Sequence, residues 1–350
     1  MYAGAEANAS ASGGAEASAG VGVKASYQGS ISSESEQQST AVTSRFKAGG
    51  DISSTSKEQT TLVGTQFESG GDTTIDAGSL DYQAAKDTSS AKGSSHDINV
   101  EAKVAIAGND ASLDAGYDMA KSSESASTAR TGSIQTGGNL TIRTRGDATF
   151  TGTELSAGGK TSIDSGGNVT FNEARDTANS SSLDLSVGVS ASSSKTDTGG
   201  KENEGELGLG VGYGTASSST ARVGSISGGQ GVSISSGGNT TLVGTQIESG
   251  AQTDISAGGK VNLQEAVSTS SNFAVRAETS VSGSSSSEPA KPAGEGASKG
   301  AANKPAEDAG EDDDGPIGAS GLELEVGSSR EASKVNIQSA GGTSIRQGQR

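Results

Sequence analysis

The sequence predicts an all-β fold, a right-handed parallel β-helix (a solenoid) from which β-hairpins are extruded. Three observations carry this expectation. The apolar inventory is too thin for a round core: 30% of residues are hydrophobic, 3% are aromatic and Trp is absent. The chain repeats itself at long range. Inside each repeat, short runs of alternating apolar and polar residues are separated by Gly-Gly pairs, which reads as strands with one buried face.

Composition comes first because it narrows the choices. The 350 residues include 25 basic and 42 acidic ones, for a net charge of -17. So few large apolar residues with so high a charge would ordinarily indicate disorder. A solenoid escapes that rule because each repeat buries only a thin stripe against its neighbours. The acidic balance argues against nucleic acid and against anionic membrane surfaces as partners. Cys is absent, so disulfides and thiolate metal sites are excluded. The opening residues, MYAGAEANAS, have neither the basic nor the apolar part of a signal peptide. No run approaches the roughly 20 apolar residues of a spanning helix.

The repeat is explicit. TLVGTQFESGG at 61–71, TFTGTELSAGG at 149–159 and TLVGTQIESGA at 241–251 lie 88 and 92 residues apart. A further copy begins at Val335 as VNIQSAGGTSIRQG. The units fall at 46–131, 132–223, 224–334 and 335–350, with 1–45 as the partial hairpin and serine-rich return of a preceding unit. The chain thus reads as starting inside one unit and stopping inside another, a piece of a longer protein or a degraded reading frame.

Within a unit, Gly pairs such as Gly137/Gly138 and Gly158/Gly159 are about 20 residues apart, and runs such as NLTI, KTSI, NVTF and KVNL follow Gly-Gly. These pairs are expected to supply corners with positive φ. The buried stripe is expected to include Leu62, Ile75, Leu140, Ile142, Phe150, Ile163, Val169, Phe171, Leu242, Ile255, Val261 and Leu263.

Between the coil blocks the alternation changes character. Leu183, Leu185, Val187 and Val189 form one arm, and Leu207, Leu209, Val211 and Tyr213 the other, of an antiparallel hairpin. Ile98–Ile106 with Leu113–Met119, and Phe273–Val281 with Leu322–Val326, read the same way. A Ser-rich return ending in Thr-Ala-Arg (Arg130, Arg222), or Thr-Ser-Arg at Arg45, closes each hairpin. Val21, Val23, Ala25 and Tyr27 read as a second arm whose first arm is missing. The apolar part of each arm is shorter than the about 9–11 residues of a membrane strand. Residues 282–321, rich in Pro, Gly and acid, read as a disordered insertion at a hairpin tip.

The pattern GGNxTLVGTQIESGxxxxIxAGGxVxLxEA, in units of this length with serine-rich spacers, resembles the haemagglutinin repeat of filamentous-haemagglutinin-like exoproteins. The resemblance covers roughly residues 20–350. These are long two-partner-secreted proteins of Gram-negative bacteria, among them the effectors of contact-dependent growth inhibition. It implies an extracellular β-helical filament that serves adhesion or carries a toxin toward a target cell. In the inhibition effectors this repeat class is associated with passage of the toxin through the target's envelope. The implied partners are an outer-membrane two-partner transporter, reached through segments not read here, and a target-cell or host-cell surface. Neither the family's secretion domain nor a toxin domain is read in these residues, and its VENN junction tetrapeptide is absent.

The residues suggest no enzyme, no catalytic, cofactor-binding or metal site, and no cofactor. His96, the single His, cannot form a Cys–His pair here and reads as an exposed arm residue beside Asp97. Asp76 and Asp164 align between copies, as paired carboxylates of a polysaccharide-cleaving β-helix would. Turn capping of local backbone N–H groups explains them more simply. GGDTTIDAG lacks the middle Gly and Asp of the calcium-binding nonapeptide. EDDDG at 311–315 has no Glu at the twelfth position of an EF-hand loop.

Overall fold

The computed structural model of the chain describes residues 4–14, 17–18, 20–105, 110–195, 199–287 and 321–348. All regular structure among them is β. The chain opens with β1 (Gly4–Gly14), β2 (Ala17–Ser18) and β3 (Gly20–Ser39). Two solenoid coils follow: β4 (Arg45–Ala48), β5 (Ile52–Thr55), β6 (Gln59–Val63), then β7 (Gln66–Ser69), β8 (Thr73–Ala77), β9 (Ser79–Gln83). A long hairpin, β10 (Ala85–Ala105) and β11 (Ala111–Arg130), comes next. The pattern recurs as coils β12 (Ser133–Thr136), β13 (Leu140–Thr144), β14 (Ala148–Thr151) and β15 (Glu154–Ala157), β16 (Thr161–Ser165), β17 (Val169–Asn172). Hairpin β18 (Ala174–Lys195), β19 (Lys201–Arg222) completes that unit. Coils β20 (Ser225–Gly228), β21 (Val232–Ser236), β22 (Thr240–Val243) and β23 (Gln246–Ser249), β24 (Thr253–Ala257), β25 (Val261–Gln264) precede hairpin β26 (Ala266–Ser287), β27 (Gly321–Ser333). The last coil shows β28 (Asn336–Ser339) and β29 (Thr343–Gln347).

Three parallel sheets form the solenoid: seven strands from β28 to β4, seven from β29 to β5, and six from β25 to β6. Strands of four or five residues with alternate burial send every second side chain inward. Stacked coils align those side chains in columns. One column runs Ile75, Ile142, Ile163, Ile234, Ile255, Ile345. Another runs Phe67, Ile134, Leu155, Ile226, Ile247. The third face stacks Tyr82, Phe150, Phe171 and Leu242, with the Phe150 and Phe171 rings 4.4 Å apart and nearly parallel. Burying a full Ile or Phe side chain contributes roughly 1.5–3 kcal/mol, so these columns supply the cohesion that composition alone did not promise.

The inner stripe lies where the sequence places it, with two edge effects. Leu62 and Val261 are only partly covered, and Leu263 is 49% exposed. Leu263 sits on β25, the terminal strand of the six-stranded sheet, with a neighbour on one side only.

The Gly-Gly corners work differently from the expectation. Among the described solenoid pairs Gly342 alone has a positive φ, and Gly231 follows the Gly228/Gly229 pair with another; the glycines whose positive φ recurs in every unit are Gly64, Gly152 and Gly244, in the VGT or TGT step. The paired glycines are needed because coils stack closely. A Cβ on Gly137 would stand 2.5 Å from the carbonyl oxygen of Gly70, and one on Gly158 2.5 Å from that of Gly137. At Gly152, φ is +61° and a Cβ would meet Ala174, the buried first residue of a hairpin, at 2.6 Å. The same residue therefore turns the coil and leaves room for the hairpin to depart.

The hairpins do not project singly. They pair edge to edge in a nine-stranded antiparallel sheet, ordered β1-β3-β10-β11-β18-β19-β26-β27 with β2 beside β3. The N-terminal arm is not missing its partner, since β1 pairs with β3 from Gly4↔Glu34 to Gly14↔Lys24. The arms are far longer than their apolar segments, 22 residues each in β18 and β19, because Ser- and Thr-rich stretches prolong the pairing toward the solenoid. Residues 282–287, assigned to the disordered insertion, belong to β26; residues 288–320, with the EDDDG run, and Ile106 lie outside the described residues.

Substitution of Ile163 by Asp places a charge in the middle of an isoleucine column and is expected to cost on the order of 4 kcal/mol or more. Ile345→Asp, at the partly exposed end of the same column, is expected to cost about 1 kcal/mol or less. Chemical unfolding of the two variants reads the difference, and equal midpoints would contradict the assignment of the inner face.

Candidate functional site: the hairpin sheet

The hairpin bases are held by a recurring staple. The Asp87 carboxylate accepts from the Ala41 N–H at 2.8 Å, in the preceding return, and from Arg130 Nε at 2.5 Å, at the end of its own hairpin. Asp176 accepts likewise from Ala129 N–H at 2.7 Å and Arg222 Nε at 2.6 Å. In the third copy the hydroxyl of Ser268 accepts from Ala221 N–H at 2.9 Å, while Arg330 pairs with Glu265 at 2.8 Å. These bonds explain the Thr-Ala-Arg returns and tie each hairpin to the one before it. Arg45 is not the counterpart of Arg130: it opens β4 and pairs with Glu68. Lys47 first, then Arg45, hold the Glu68 carboxyl below the usual range through hydrogen bonds.

Directly paired residues in an antiparallel sheet share a face. The register therefore sorts the side chains. Tyr27, Val100, Ala115, Val189, Leu207 and Val281 form one row across six strands. The adjacent positions, one residue along each strand, form the row Gln28, Asn99, Gly116, Gly188, Gly208, Ser280 on the other face. Every described Asp and Glu within these strands falls on that second face, by the same register. Its middle is floored by glycine, with open space over Gly188 and Gly208, and forms a shallow trough of about 560 Å³ rimmed by Asp114, Asp118 and Glu206.

His96 lies on the apolar face and is half-buried, not fully exposed. Its Nδ1 is 2.8 Å from the Tyr117 hydroxyl, with the rings 6.2 Å apart. Asp76 and Asp164 are not adjacent: Arg143 stands between them in the stack, in register with both. Corner capping falls to other residues. At one corner Asp51 Oδ1 accepts from the Asp72 N–H, Asp72 from Asn139 and Asn139 from Lys160, at 2.7–2.9 Å. At the next corner Asp147, Asn168 and Asn239 cap one another in turn, ending on the Lys260 N–H. Each Asx oxygen thus satisfies a backbone donor one coil away, and each ladder stops at a Lys, which has no acceptor to continue it. Among the described residues no cluster of three or more His, Asp or Glu could hold a metal ion.

Stacked coils with three parallel faces and a repeated hairpin define a repeat scaffold. The sequence profile described as Hemagglutinin repeat matches residues 25–182 and, overlapping, 113–283. The chain belongs to that family. It is also similar to a protein named Hemolysin from Serratia marcescens, 48% identical over 66 residues, covering 19% of this chain and 4% of that protein. No solved structure matches it.

Tyr82 is fully buried and its hydroxyl donates to the Thr65 and Ser133 carbonyl oxygens. Burial pushes its pKa well above the ordinary value of about 10. The unfolded chain releases this proton near pH 10 while the folded chain keeps it, so stability falls as pH rises past about 10. Tyr82→Phe, which matches Phe150 and Phe171 in the column, should cost about 1 kcal/mol at neutral pH and flatten that alkaline decline. Unfolding midpoints across pH 7–11 test both parts. His96→Ala, measured the same way, should change stability by less than about 1 kcal/mol.

Proposed function

We propose that this chain is a structural shaft segment of a secreted filamentous exoprotein of a Gram-negative bacterium, either an adhesin or a carrier in contact-dependent toxin delivery. It acts by reach and display and performs no catalysis. The observation that carries this reading is metric: each repeat unit adds two coils and two hairpin arms. Coils and antiparallel strands share a spacing of about 4.8 Å, so units add without end and without mismatch. Transport by an outer-membrane partner and contact with a target or host cell would involve other parts of the parent protein. Membership of the hemagglutinin repeat family and the likeness to the Serratia protein support a secreted or surface location.

A second reading, assistance in toxin translocation across a target envelope, is favoured by one observation. The paired arms run to 22 residues, beyond the about 9–11 residues of a membrane strand, with an apolar stretch over Leu183–Val189 and Leu207–Tyr213.

Deletion of residues 132–223 from a parent exoprotein separates the readings. Gly132 and Gly224 precede Ser133 and Ser225, which share a column through Glu154. Removing the segment should rejoin equivalent coil positions and leave a shorter, foldable shaft with normal surface display and proportionately reduced reach. Removing half of it should break the register and expose an unpaired, aggregation-prone edge. Normal display with complete loss of delivery would favour translocation; identical behaviour of the two deletions would sink the shaft reading.

A further inference from the structure

An antiparallel sheet with one apolar face is stable when a second layer covers that face. Among the described residues the hairpin sheet is a single layer. Its apolar side chains stand substantially exposed, Leu207 at 42%, Val189 at 47% and Val281 at 51%, although neighbours on the same sheet flank them. Residues 288–320 contain one large apolar residue, Ile317.

We infer that this face is covered by the same face of a second copy of the chain, giving a two-sheet sandwich between paired shafts. This deepens the shaft reading. Charge sorting favours it. In a chain of net charge -17, the described carboxylates of these strands all lie on the opposite face, so two apolar faces meet without burying one. Lysines border the patch, Lys92 and Lys121 toward the solenoid and Lys195 and Lys201 at the hairpin tip, on the same face by register. At the edges of a pair they stay in water.

Size favours it too. The patch spans about 25 Å along the strands and about 30 Å across them, roughly 750 Å² per face. Two such faces bury about 1,500 Å², within the range of stable interfaces. Sheets pack face to face about 10 Å apart with strands within about 30°, which hairpins anchored at one end accommodate. A lipid bilayer fits less well. The described sheet is open, ending at β1 and β27, and open edges do not enter hydrocarbon. The net negative charge opposes adsorption to anionic lipid.

The test uses the full 350-residue chain. Light scattering and sedimentation should give twice the 34.1 kDa chain mass. Leu185→Asp with Val211→Asp, register partners on the apolar face, should shift the species to monomer with the β circular dichroism kept. Ser186→Asp with Ser280→Asp, on the other face, should leave the dimer. The chain has no Cys, so Val187→Cys should cross-link into dimers under mild oxidant while Ser186→Cys should not; this arm stands if the double-Asp variant fails to fold. A monomeric wild-type chain with no Val187→Cys cross-link overturns the inference. If that monomer floats with phosphatidylcholine–phosphatidylglycerol vesicles, the face is a lipid surface and the translocation reading gains. Failure to dimerise leaves the shaft reading standing, because display of the deletion parents judges that separately.

Discussion

Everything in this molecule depends on one spacing, the roughly 4.8 Å between hydrogen-bonded strands. A solenoid coil advances by that distance, and so does each arm of a hairpin sheet. Because a unit contains two coils and then two arms, the solenoid and the sheet grow at the same rate. A unit with two coils and no hairpin would leave a gap in the sheet, and one with a single coil would crowd it. The repeat length of about 90 residues is therefore a structural quantity: two coils 21 residues apart, as in Glu154 over Ser133, plus a hairpin whose length can vary freely.

That shared advance puts strict demands on the corners. Coils approach so closely there that a methyl group on Gly137 or Gly158 would strike the carbonyl of the coil beside it. The same proximity lets Asp72, Asn139, Asn168 and Asn239 cap backbone donors on a neighbouring coil. Gly-Gly-Asx is thus one device with two parts, absence of side chain where coils touch and a short acceptor where a donor would otherwise go unpaired. Apolar columns then fill what remains of the interior, helped by hydroxyls such as Ser69 and Thr73, which bond each other at 2.7 Å inside the corner.

The hairpin sheet answers to a different physics. Its strands pair with one another and not with the solenoid strands, and its two faces diverge in composition. One gathers Leu, Val, Ile and Tyr; the other gathers glycine, serine and the carboxylates. The Asp87–Arg130 and Asp176–Arg222 pairs at the bases are partly exposed and contribute little energy individually, but they fix the register from which the sorting follows. A hemagglutinin repeat built this way presents two things along its length, a rigid spine and an amphipathic sheet.

The sequence by itself determined the solenoid, the repeat and the inner stripe, because period-2 alternation is local: Ile142, Ile163 and Phe171 read as buried in isolation and are buried. It also determined that apolar hairpin segments face each other, since Leu183–Val189 and Leu207–Tyr213 alternate in the same sense. The reach of those hairpins was not legible, because the serine-rich stretches that extend them carry no apolar signal and are ordered by backbone pairing and by cross-strand hydroxyl bonds such as Ser217–Ser271 and Ser270–Ser329, each 2.8 Å. The positive φ expected of the Gly pairs is met at Gly342 but not at Gly137 or Gly158, for a related reason: a positive φ is a property of one residue, whereas the constraint there is a carbonyl on a different coil, 67 residues away between Gly70 and Gly137. Asp76 and Asp164 were brought into one column but separated by Arg143, which follows from how coils of different units stack. Tertiary structure alone decided that hairpins from separate units join into one sheet with all its carboxylates on one side, because edge-to-edge pairing depends on the equal advance of coil and strand and on no motif within either.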